Sequence, residues 1–129
     1  MPVFTLPDHI DPLRKYLADS STDTSLVACF CAAWCDTCRD YAPAFAQLAD
    51  KFPQYVFIWV DIEENPELLG DEDVENFPTL LVQTATENRF FGPMLPHIGH
   101  LEKLLATINR MPAINGGPPM LRQTLMAQA

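Results

Sequence analysis

Two short apolar runs, residues 26–32 and 55–60, flank a stretch with helical periodicity, and this arrangement limits the fold more than any other feature. Each run is too short for a buried helix and has the near-continuous apolar character of a strand covered on both faces. Between them, Tyr41, Phe45, Leu48 and Phe52 recur at spacings of four, three and four, which predicts a helix over 36–52 with Pro43 kinking it. Strand, helix and strand in that order imply a parallel pair joined by a right-handed crossover.

The flanks extend this unit. Residues 8–18 predict a first helix, with Asp8 as its cap and Ile10, Leu13 and Leu17 on one face. Residues 65–70 predict a short helix capped by Asn65, opened by Pro66 and stopped by Gly70. Residues 79–83 and 89–91 read as strands of an antiparallel hairpin turning at 84–88. A last helix is expected over 97–109, with Ile98, Leu101, Leu104, Leu105 and Ile108 on one face. The sum is an α/β chain with a central mixed sheet of four to five strands and helices on both faces. After Arg110 the composition turns to Pro and Gly, so 1–110 is expected as the domain. Residues 111–129 are expected as a linker and tail, with a short helix over 120–129.

The chain has 129 residues and a formal net charge of −9, which suits one domain and makes nucleic acid and anionic membrane surfaces poor partners. Asp61, Glu63, Glu64, Glu67, Asp71, Glu72, Asp73 and Glu75 fall in one stretch free of Lys and Arg, a solvated acidic surface by its composition. No segment has the length and apolarity of a membrane span. The N-terminal residues lack the basic and apolar regions of a secretory signal, so a cytoplasmic protein is expected if residue 1 is the native start. His9, His97 and His100 show no catalytic spacing.

The chemistry concentrates in Trp34-Cys35-Asp36-Thr37-Cys38. Helical residues three apart have Cα atoms roughly 5 Å apart, inside the range of about 4.4 to 6.8 Å that a disulfide accepts. Cys35 and Cys38 are therefore expected to alternate between dithiol and disulfide. A thiolate is the attacking species, and the N-terminal end of a helix favours negative charge, which assigns Cys35 as nucleophile and the more interior Cys38 as resolving cysteine. Asp36 disfavours a thiolate at Cys35 and Arg39 favours it, so their effects oppose. The same spacing also occurs in zinc sites, for which Cys29 and Cys31 would complete a four-cysteine set. Both lie in an expected buried strand, where a free cysteine packs as a small hydrophobe.

Ala33-Trp34-Cys35-Asp36-Thr37-Cys38-Arg39, the following helix with its proline, Phe77-Pro78-Thr79 and Gly92 together resemble the thioredoxin family over roughly residues 3–109. The resemblance implies a thioredoxin-like fold and reduction of protein disulfides by dithiol–disulfide exchange. It implies no cofactor beyond a redox-active Cys35–Cys38 disulfide, a thioredoxin-reductase-like or other dithiol electron donor, and a monomer. It also makes Pro78 a cis-proline facing the active disulfide. The Phe77-Pro78-Thr79 backbone becomes a template for a substrate strand, with Trp34, Phe77 and Gly92 completing an apolar docking surface. Three departures stand out. Asp36 and Thr37 replace the family's Gly-Pro between the cysteines. Cys29 stands where the family buries an aspartate, and Trp59 where it pairs a lysine with that aspartate. An apolar floor is expected beneath Cys38, with Asp61 as a substitute proton acceptor. The other expectation is a binding or regulatory module that docks a partner and senses redox state, using the acidic stretch and the tail.

Overall fold

The computed structural model describes residues 3–6, 8–19, 25–70, 72, 74, 77–84 and 86–127. The two apolar runs form the centre of its sheet. They are β2 (Ser25–Cys31) and β3 (Tyr55–Asp61), parallel, in a register that sets Cys29 beside Trp59 and Cys31 beside Asp61. The crossover between them is α2 (Asp36–Lys51), which continues through Pro43. β4 (Thr79–Gln83) runs antiparallel to β2 on its other side, and β5 (Asn88–Pro93) closes the hairpin against β4. The opposite edge is β1 (Phe4–Leu6), parallel to β3, giving the order β1-β3-β2-β4-β5. This edge strand has three residues and no periodicity long enough to mark it in the sequence.

Alternation along β2 and β3 divides the core between two faces. Val27, Cys29, Cys31 and Phe57 face α2 and α3 (Ile98–Thr107), meeting Tyr41, Phe45, Leu48, Leu101 and Leu105. Leu26, Ala28, Phe30, Val56 and Ile58 face the other way, toward α1 (Ile10–Asp19) and α4 (Leu121–Ala127). Helices thus cover both faces, which is why the strands read as unbroken apolar runs.

The segment expected as a short helix at 65–70 is a single 3-10 turn, Pro66–Leu68. Asn65 makes no side-chain cap there; its carboxamide donates instead to the Asp61 carbonyl at 3.0 Å. Gly70 ends the turn with φ +61, a conformation that suits glycine, and a Cβ at this position would meet Pro119 Cδ at 2.8 Å. Of the acidic stretch, residues 71, 73 and 75 lie outside the described residues.

Contacts cross the expected boundary at 110. Leu121 and Leu125 are fully buried among α1 and the sheet. The anchor is Gln83, a buried polar residue at the end of β4. Its Nε2 donates to the Asn88 side chain at 2.7 Å and to the Pro119 carbonyl at 3.0 Å, while its Oε1 accepts the Leu121 N–H at 3.0 Å. Asn88 Nδ2 in turn donates to the Gly116 and Pro118 carbonyls, and Glu72 accepts the Gly117 N–H at 2.9 Å. The Pro/Gly segment is held as a strap that returns α4 to the sheet, with α4's apolar side turned into the core.

Candidate redox site

The four cysteines gather where β2 ends and α2 begins. Cys29 and Cys31 are two apart on β2, so both point to the α2 side. The chain then turns through Ala32, Ala33 and Trp34. Cys35 is the N-cap of α2: its N–H donates to the Ala32 carbonyl at 3.1 Å and its carbonyl accepts the Arg39 N–H at 3.2 Å. Its side chain makes no cap bond and is half-exposed. Cys38, in the first turn, points inward and is 1% exposed.

The covalent partner of Cys38 differs from the sequence expectation. Cys38 is bonded to Cys31, with Cα atoms 5.9 Å apart, and Cys35 is a free thiol. The physical reason is direction. The last residue of β2 projects beneath the first turn of α2, and Cys38 faces that floor, whereas Cys35 caps the outer end of the helix. Cys31, expected to pack as a small hydrophobe or to complete a zinc set, is thus bonded to the cysteine in the first turn of α2. Its place on the α2-facing side of β2, next to the active loop, was the signal available for it. With these two sulfurs bonded to each other, the four-cysteine zinc arrangement is not formed. Among the described residues no group of three or more His, Cys, Asp and Glu is placed to hold a metal ion.

Cys29 is the second free thiol and is fully buried, its Sγ 3.6 Å from that of Cys31. Because Cys31 has no proton in the disulfide, Cys29 is the donor. Desolvation pushes the Cys29 thiol well above its ordinary range, so it stays protonated. Tyr41 is raised as well, first by burial and then by the charge a Cys29 thiolate would carry, and its hydroxyl lacks a hydrogen-bond partner. Trp59 packs against Phe45 with ring centroids 5.7 Å apart. It walls a pocket of about 410 Å³ that Cys31, Asp61 and Glu64 also line. Asp61 stands at this opening with one carboxylate oxygen accepting the Glu63 N–H at 2.9 Å. At the surface Asp36 and Arg39 form an ion pair with each other, both exposed, and Thr37 lies between the cysteines, half-buried.

The facing loop brings Phe77, Pro78 and Thr79 together, with a cis peptide bond between Phe77 and Pro78. The Pro78 carbonyl accepts the Met94 N–H at 3.1 Å, and Thr79 pairs with Phe30 on one side and Pro93 on the other. Trp34, 65% exposed, meets Phe77 edge to face with centroids 5.7 Å apart, linking the cysteine loop to the proline loop. Beyond Phe77 lies a pocket of about 400 Å³ lined by Phe77, Pro93, Met94, Leu95 and Pro96. Leu95 is 64% exposed. Residues 93–96 were missed from sequence; four consecutive apolar residues on a loop after Gly92 were the available sign. At Gly92 a Cβ would come no nearer than 3.9 Å to the Phe90 ring, so the protein's own packing leaves room there.

The sequence model of the thioredoxin family matches residues 11–94, and the chain belongs to that family. It is 43% identical over 63 residues to thioredoxin H5 of Oryza sativa subsp. japonica, covering 49% of this chain and 47% of the relative. With thioredoxin H4-1 of the same plant it shares 34% identity over 95 residues, 71% of this chain and 70% of the relative. With the thioredoxin of Oryctolagus cuniculus it shares 33% over 93 residues, 72% and 85% respectively. In the strongest of these alignments the chain spans about half the relative's length. Among solved structures, Fasciola hepatica thioredoxin superposes with TM-score 0.62 at 26% identity, covering 87% of this chain and 100% of that one. A poplar thioredoxin h superposes with TM-score 0.67 at 18% identity, covering 84% and 97%. The fold is the thioredoxin fold.

Proposed function

We propose that this protein is a thiol–disulfide oxidoreductase that reduces protein disulfides. The observation that carries the reading is Cys35: a partly exposed free thiol at a helix N-terminus, above a buried cysteine and beside an exposed apolar surface. At the surface beside it, Asp36 and Arg39 pair with each other.

In the reaction, the Cys35 thiolate attacks one sulfur of a substrate disulfide. A Cys35–substrate bond forms and the other substrate sulfur leaves as a thiolate. Cys38, in protein whose Cys31–Cys38 bond has been reduced, attacks Cys35 Sγ and expels the second substrate thiolate. A dithiol electron donor of the thioredoxin-reductase kind returns two electrons. The substrate strand lies along the Phe77-Pro78-Thr79 backbone, its apolar side chains against Trp34, Phe77, Leu95 and the open site at Gly92. The direction is reductive in a reducing compartment such as the cytoplasm. The fully buried Leu121 and Leu125 support the tail as part of the fold over the reading in which it captures a partner.

The test is insulin-disulfide reduction with dithiothreitol as donor. Turnover above the uncatalysed rate is expected for the full chain and is expected to vanish in Cys35→Ser. Equal rates for the two proteins would overturn the enzyme reading.

A further inference from the structure

We propose that Cys31 is a second resolving cysteine. In this relay the disulfide first formed between Cys35 and Cys38 passes to Cys31–Cys38, which restores Cys35 as a free thiol and stores the oxidised pair away from solvent. The inference rests on the oxidoreductase reading and deepens it.

The bond itself is the main observation: Cys38 is joined to Cys31 while the half-exposed Cys35 is free. Accessibility gives the arrangement its meaning. Cys31 and Cys38 are each 1% exposed, so an outside thiol reaches neither sulfur directly. Cys35 touches the same cluster and also faces solvent, so it is the only one of these sulfurs in both settings. Cys38 stands between the other two, one helical turn below Cys35 and above the end of β2. Thiol–disulfide exchange needs this order, because the central sulfur is the one that changes partner.

Electrons and atoms balance without a further reactant. The Cys31 thiolate attacks Cys38 Sγ, the Cys31–Cys38 bond forms, the Cys35–Cys38 bond breaks, and Cys35 leaves as a thiolate. The exchange is redox-neutral. The proton lost by Cys31 has an exit through the pocket it shares with Asp61 and Glu64. The Cys29 thiol, 3.6 Å from Cys31 Sγ, donates to that sulfur and stabilises its negative charge when the exchange runs backward. Backward exchange is how a reductant gains access. Cys35 reopens the buried bond by attacking Cys38, and an external dithiol then reduces the surface-reachable Cys35–Cys38 disulfide. The oxidised protein therefore keeps a nucleophile at its surface and can engage a second disulfide before it is recharged.

The four cysteines can be separated by cleavage after Phe30, after Trp34 and before Asp36. Fully reduced protein is treated with one equivalent of oxidised glutathione and labelled briefly with N-ethylmaleimide under native conditions. It is then quenched with acid, blocked and digested for mass spectrometry. The expected result is a Cys31-Ala32-Ala33-Trp34 peptide linked to the peptide containing Cys38, with native label on Cys35. In Cys31→Ser, the expected link is Cys35–Cys38 and the native label on Cys35 disappears. A wild-type Cys35–Cys38 link, or an unlabelled Cys35 in the oxidised wild type, overturns the relay even if Cys35-dependent insulin reduction persists. A Cys31→Ser protein that forms no Cys35–Cys38 bond removes the intermediate and overturns it as well. Absence of Cys35-dependent insulin reduction overturns the oxidoreductase reading and the relay with it.

Discussion

Cys29 holds its sulfur 3.6 Å from that of Cys31, at the foot of the bond that joins Cys31 to Cys38. The pair arises because β2 alternates and both residues face α2. Where the family resemblance implies a buried aspartate, this chain places a neutral donor. That exchange removes a desolvated charge, whose cost is several kcal/mol when unpaired, and places a neutral S–H donor against the Cys31 sulfur in its place.

This burial gives stability an alkaline limit. Burial lifts the Cys29 thiol above its ordinary value of 9.0, and it lifts the Tyr41 and Tyr55 hydroxyls above 10.0. For a group raised in the folded state, stability is complete below the ordinary value and falls as pH rises past it, because the unfolded chain releases the proton first. For the fully buried Cys29 thiol the loss is about 1.4 kcal/mol per pH unit in that range. Urea unfolding between pH 7 and 10.5 is expected to show a decline beginning near 9. Cys29→Ala is expected to flatten the part between 9 and 10, and an unchanged slope in that variant would assign the decline elsewhere.

Tyr41→Phe removes a buried hydroxyl that has no hydrogen-bond partner. Its ring contacts with Phe45, at a centroid distance of 6.2 Å, are kept. Stability at pH 7 is expected to stay level or rise by up to about 1 kcal/mol. A loss above that, read from the urea midpoint, would reveal a polar partner for the hydroxyl.

Leu125 is fully buried, packed with residues of α1 and the sheet. Leu125→Ala is expected to cost about 2 to 4 kcal/mol by loss of burial and creation of a cavity. Well below the midpoint of unfolding, insulin turnover is expected to be unaltered, because α4 lies on the sheet face opposite α2. A cost below 0.5 kcal/mol would show that the strap does not hold α4 in place.

Gly70→Ala tests the same strap from its other side. The left-handed φ and the 2.8 Å approach to Pro119 both oppose a methyl group. A loss of about 1 to 3 kcal/mol is expected from thermal or urea unfolding.

Trp34→Ala separates docking from chemistry. The ring is exposed and meets Phe77, so its loss is expected to raise KM for insulin several-fold and leave the rate with a small disulfide such as oxidised glutathione nearly unchanged. An equal fall with both substrates would place Trp34 in support of Cys35 and not on the docking surface.

Much of this fold is legible along the chain because its signals are local. β4 spans the expected 79–83, α2 starts at the residue after Cys35, and the hairpin follows from its turn. The short edge strand β1 escaped because three residues cannot establish a period. Asn65 was expected as a cap from its type and position, but a nearby carbonyl competes for its side chain. Gln83 carries no warning in sequence that it binds a segment more than thirty residues later; that role exists only once β4 and the strap meet.

By itself, then, the sequence determined the order of the longer strands and helices, the family motifs and the place of Cys35 at the start of α2, because periodicity and capping act between near neighbours. The tertiary structure alone decided that Cys38 bonds to Cys31 and that the Pro/Gly segment returns α4 to the core. Both depend on how the end of one strand meets the first turn of a helix, or a distant strap. Such meetings are set by sheet register and the packing of layers, and no spacing along the chain encodes them.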